Sequence, residues 1–110
     1  MWMSTFTIKG FRPGPVLDGH VHDVLGFPEP VWPYSTHPKA QIRLREWLKG
    51  NKSRVRLPGE ARASDDCVVQ VGGFRESFTA ANENHALCLA VLLSDYLVKY
   101  GRHIPVKGRW

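Results

Sequence analysis

The stretch DGHVHD, residues 18 to 23, gathers two histidines and two aspartates, and metal chemistry would first be sought there. On a strand, His20 and His22 would point to one side and could share a cation. An enzyme barrel built around such a strand needs about 250 residues, and this chain has 110. On a helix, residues two apart do not share a face, and Val21, Val24 and Leu25 fall at helical spacing. The expectation is a short helix and no metal site. His37, His85 and His103 stand apart, and no Ser or Cys sits beside a base in a nucleophile motif. The adjacent Asp65 and Asp66 would diverge in an extended loop, and GGF at residues 72 to 74 is too short for a phosphate loop. Catalysis requires titratable groups that converge in a pocket, so neither a catalytic residue nor a cofactor is expected.

The constellation that remains is basic. From Lys39 to Arg62 there are eight Lys or Arg against Glu46 and Glu60, a balance of +6, whereas the rest of the chain sums to −1. On a helix, Lys39, Arg43 and Glu46 would share the face opposite an apolar stripe, and Arg54 and Arg56 would project from one side of the strand that follows. Trp32 and Tyr34 lie just before this stretch and could offer stacking surface to bases. The expected binding set is Lys39, Arg43, Arg45, Lys49, Lys52, Arg54 and Arg56 with Trp32 and Tyr34. It would take a protein, a nucleic acid or an anionic nucleotide. The alternative, that these charges only solvate an exposed face, stays open at this point.

The elements that must position these side chains are legible to different degrees. Alternation of Phe6 and Ile8 predicts a short strand, and Pro13 and Pro15 then forbid regular pairing, so residues 1 to 15 read as an edge strand or arm. Asp18 reads as the N-cap of the first helix and Gly26 as its stop. Prolines 28, 30, 33 and 38 make the next segment a loop, ordered by Phe27, Trp32 and Tyr34. Ser35 or Thr36 would then cap a helix whose apolar face is Ala40, Leu44, Trp47 and Leu48. SRVRL and CVVQV alternate as strands, with a loop over 58 to 66 between them; Gly72 and Gly73 turn into a third strand with Phe74 and Phe78 inward. Asn82 caps a long last helix whose broad apolar stripe runs from Ala86 to Tyr100, and 102 to 110 form a basic tail. The fold class is α+β: a small antiparallel sheet packed against helices, as a single domain over 1 to 110.

Composition agrees with a folded domain: 43% of residues are hydrophobic and 23% charged, with a net charge of +5. Cys67 and Cys88 both lie in apolar runs, where cysteine behaves as a small hydrophobe. The opening MWMSTFTIKGFRPG carries no leader pattern, and no run approaches the length of a membrane span. A cytoplasmic protein that makes no membrane contact is the expectation.

Three passages resemble the phage ABA sandwich domain family of bacteriophage and prophage genomes. They are DVLGF, PYSTHPKAQIRLREWL and AANENHALCLAVLL, and the likeness spans about residues 16 to 100. The chain departs from that pattern at His37 and Pro38, where the family has an Asp after Ser-Thr. The resemblance implies the same α+β fold and a phage or prophage accessory protein in the host cytoplasm. With the absent catalytic motif, it implies a non-enzymatic inhibitor of a bacterial defence system, of the anti-CRISPR or signal-sequestering kind. Its partner would be a protein or nucleoprotein complex of the host. The alternative is a direct nucleic-acid binder that contacts phosphates through the basic stretch.

Overall fold

A computed structural model describes residues 5–28, 30–56 and 67–100. The elements run α1 (Thr5–Lys9), α2 (Pro15–Leu25), α3 (Ala40–Gly50), β1 (Ser53–Arg56), β2 (Cys67–Val71), β3 (Phe74–Phe78) and α4 (Glu83–Tyr100). The strands form one antiparallel sheet in the order β1-β2-β3. This is the α+β architecture expected from the periodicities. The expected loop over 58–66 and the basic tail lie outside the described residues.

Why α4 is apolar nearly all round follows from its place. Every residue from Asn84 to Ser94 is buried, because the helix contacts β2 and β1 on one side and α1, α2 and α3 on the other. A helix enclosed on all sides has no polar face to keep. Its start is capped as the sequence predicts: the Asn82 side-chain oxygen accepts the His85 N–H at 2.8 Å. Leu17 and Val21 of α2, Leu44 and Leu48 of α3, and Cys67, Val69 and Phe78 of the sheet close the core around it.

Three local expectations are corrected. Thr5–Lys9 is a helix rather than a strand, and Ile8 is 2% exposed in the core. Asp18 is not an N-cap: α2 begins at Pro15, whose fixed φ suits a first helical position. Ser35 and Thr36 do not cap α3, which starts at Ala40 after successive turns from Pro33. Both displaced caps have tertiary work instead. The buried Asp18 carboxylate accepts the Ser35 N–H at 2.7 Å, and Ser35 Oγ accepts the Gly14 N–H at 2.8 Å.

Asn84 ties the same loop to α4. Its amide nitrogen donates to the carbonyls of Tyr34 (3.1 Å) and His37 (2.6 Å), and its oxygen accepts Gln41 Nε2 at 2.7 Å. Asn84 is 6% exposed, so removing its side chain takes a buried bond from the Tyr34 carbonyl and one from the Gln41 amide, while the His37 carbonyl keeps the Ala40 N–H. Asn84→Ala is expected to lower the unfolding free energy by about 2 kcal/mol, on the scale of a lost buried hydrogen-bonding group. Asn84→Asp should cost no less, because a carboxylate would then face two carbonyl oxygens. Urea unfolding followed by circular dichroism checks both, and a midpoint unmoved by either change contradicts this role.

Candidate functional site

Alternation sorts the sheet into two faces. Val55, Cys67, Val69, Val71, Phe74 and Phe78 turn toward the helices, with Cys67, Val69 and Phe78 fully or nearly fully buried and the others half-buried. Arg54, Arg56, Val68, Gln70, Arg75 and Ser77 occupy the other face, all exposed except the half-buried Val68. The register sets them in two cross-strand rows: Arg54 opposite Gln70 opposite Arg75, and Arg56 opposite Val68 opposite Ser77. No described helix covers this face.

Its charge has one sign. None of Arg54, Arg56 and Arg75 has a carboxylate partner among the described residues. The one acid within the strands, Glu76, belongs to the helix-facing set and pairs with Lys9 of α1 at 2.7 Å. Three guanidinium groups thus stand together on a face where no acid among the described residues neutralises them. Each presents a planar fork of donors suited to phosphate or carboxylate oxygens.

The other members of the expected set are placed elsewhere and differently. Lys39, Arg43, Arg45 and Lys49 belong to α3 and its start, on the helical side of the sheet. Arg43 lies between two rings, its guanidinium carbon 4.0 Å from the centroid of Trp32 and 4.5 Å from that of Phe27. This is a cation–π sandwich that pins the loop onto α3. Arg45 pairs with Glu83 in the first turn of α4. Lys39 and Lys49 are exposed, and Lys52 is exposed with a left-handed backbone (φ 57°) in the turn from α3 to β1. Tyr34 is fully buried, its hydroxyl 3.0 Å from His22 Nδ1, so its ring offers no surface on which a base could stack. Trp32 is half-buried beneath Arg43 and stacks on Tyr34 with centroids 6.4 Å apart. The expected binding set is therefore divided: Arg54 and Arg56 share a face with Arg75, and the α3 cations do not.

Arg75 was outside the basic stretch and escaped a reading based on charge density. The signal that finds it is geometric. FRESF alternates, Gly72 turns with φ 58° as only glycine does freely, and Val71 then pairs with Phe74. Once Phe74 and Phe78 face inward, Arg75 must join Arg54 and Arg56 outside.

Depressions also lie among the described residues. One of about 210 Å³ is lined by Trp32, Pro33, His37 and Lys39. A wider one of about 410 Å³ lies among Lys9, Phe11, Arg12, Thr79 and His85. His85 holds its imidazole by two bonds, accepting the Ala81 N–H at Nδ1 (2.9 Å) and donating from Nε2 to the Phe11 carbonyl (2.8 Å). The histidines of α2 are likewise engaged separately: His20 lies against Phe11 and His22 against Tyr34. Among the described residues there is no group of three or more side chains placed to hold a metal ion. No described helix is long and apolar enough to cross a membrane.

No family model matches the chain, and no curated protein or solved structure matches it.

Both cysteines are buried thiols. Burial, reinforced by the Asp18 carboxylate, pushes the Cys88 thiol far above its ordinary range. A thiol so held is a poor nucleophile. The native protein is expected to show no rapid reaction with an aromatic disulfide reagent at neutral pH, and to titrate two thiols once denatured; a fast native equivalent would contradict the placement of one of them.

Proposed function

We propose that this chain is a non-enzymatic binding protein that holds an anionic partner against the open face of its sheet, with the phosphates of nucleic acid as the ligand chemistry. One observation carries this reading: Arg54, Arg56 and Arg75 stand on a strand face that no described helix covers, with no acidic side chain on it among the described residues. Surface charge alone is ordinary, and most exposed basic residues serve solubility. What separates these three is their concentration on one rigid layer. Paired strands fix the spacing of the side-chain bases, so less conformational freedom is lost when a partner docks. Phosphate contacts of this kind give affinity that falls steeply with salt.

A second reading uses another part of the surface. A phage or prophage accessory protein that blocks a bacterial defence complex would need aromatic and arginine anchors at a protein contact. Phe27, Val31 and Ile42 are exposed, close in sequence to the Arg43 sandwich and to the depression beside Trp32. Exposed apolar residues of this kind support a protein partner.

Fluorescence anisotropy with labelled nucleic acid at about 50 and 200 mM salt, a range over which phosphate contacts weaken strongly, separates the readings. The wild type is expected to bind, and Arg54→Glu/Arg75→Glu to abolish binding while its circular dichroism stays native, since both side chains are exposed. Phe27→Ala should leave nucleic-acid affinity unchanged. Binding that survives the double charge reversal overturns the sheet-face reading, and loss of binding on Phe27→Ala with the fold intact moves the site to the aromatic cluster.

A further inference from the structure

We infer that the open sheet face takes duplex nucleic acid rather than single strands, gripping both phosphate backbones across a groove without reading the bases. The inference rests on the sheet-face reading above and adds the form of the ligand.

The first support is the chemistry of the face. Proteins that hold single strands do so by stacking bases on aromatic side chains along a basic groove. Here the six outward positions are Arg54, Arg56, Val68, Gln70, Arg75 and Ser77, with no ring among them. The aromatic side chains of the sheet, Phe74 and Phe78, face the helices. Trp32 and Tyr34 are engaged within the α2–α3 loop. Among the described residues of this face, unstacked bases would find no ring to lie on. A duplex keeps its bases stacked on one another and asks only for cations opposite its phosphates.

The second support is the layout of the charges. Arg54 and Arg56 are two residues apart on β1, about 7 Å along the strand. Arg75 lies two strands away, about 10 Å across the sheet. A line of phosphates on one extended strand could meet the pair on β1 and would leave Arg75 off the line. A duplex presents two lines, separated by grooves about 6 and about 12 Å wide. The span from β1 to β3 falls between those widths, and an arginine side chain has the reach to cover the difference.

The third support is what sits between the cations. Gln70 is the one amide that could bond bidentately to an adenine edge, but its nitrogen is turned back to the Gly72 carbonyl at 3.3 Å. Val68 and Ser77 complete the second row and carry no extended donor. Arginine can itself read a guanine edge, but with Arg54, Arg56 and Arg75 engaged on phosphates the face has little else with which to tell sequences apart.

The test is a competition on the full chain with two unrelated duplex DNA sequences of equal length and their separate single strands as probes. Both duplexes should bind alike, within about 2-fold, and each at least 10-fold tighter than its own strands. Three phosphate contacts give a slope of log affinity against log salt of about −2.7, so the duplex affinity should fall about 40-fold between 50 and 200 mM salt. Arg75→Ala and Arg54→Ala should each reduce that slope by about 0.9. Single strands bound as tightly as duplex, or one duplex strongly preferred, would overturn this inference and leave the sheet-face reading standing. An unchanged slope in Arg75→Ala would remove the second backbone from the footprint and overturn it too. Failure of every probe to bind would overturn the sheet-face reading itself.

Discussion

The Asn84 amide is the constraint on which the placement of everything downstream depends. It sits in the first turn of the buried helix α4, yet it binds the carbonyls of Tyr34 and His37 and the amide of Gln41. These partners precede or open α3, so the amide fixes where α3 enters. α3 runs straight into β1 through the turn at Asn51 and Lys52. The position of the first strand, and with it of Arg54 and Arg56, is inherited from one side chain on the opposite side of the core. The loop it secures is rich in proline and poor in backbone donors, so its carbonyls would otherwise be difficult to satisfy. Asp18 and Ser35 complete the anchorage from α2.

Charge is distributed by the same architecture. Contiguity in sequence groups eight cations between Lys39 and Arg62, but a helix followed by a strand cannot keep consecutive charges together. The helix gives its arginines to local work: Arg43 to two rings and Arg45 to Glu83. The strand, with period two, sends its arginines to the outer face and Val55 inward. Glu76 is one residue from Arg75, and the same alternation carries it to the other side, where Lys9 neutralises it. Acid and base are thus separated by the thickness of a sheet.

Much of this was readable from residues alone. The strands declared themselves by alternation, the last helix by its apolar stripe and Asn82, and the fold class by their order. The failures have a common cause in partners distant along the chain. TFTIK alternates like a strand, and only contact with α4 makes it a helix with Ile8 buried. Asp18 and Ser35 have the side chains of caps and would serve as such locally; in the fold they bond each other across 17 residues instead. Tyr34 suggests stacking surface because it lies just before the basic stretch, whereas in the fold its ring is buried and its hydroxyl is claimed by His22. Within the site, Arg54 and Arg56 were visible as part of a charge run, and Arg75 was hidden by the acid next to it.

The enclosed position of α4 has a consequence for how the molecule comes into being. Chains emerge from the ribosome N-terminus first, at about 5–20 residues per second. α1, α2, α3 and all three strands are therefore made before the helix against which they pack. Until residues 84 to 94 have appeared, the apolar sides of these elements have no common partner. Consolidation of the core waits for the last described segment of the chain. Val69 and Phe78 are synthesised before the helix that buries them, so only the arrival of α4 gives the sheet an inside and an outside.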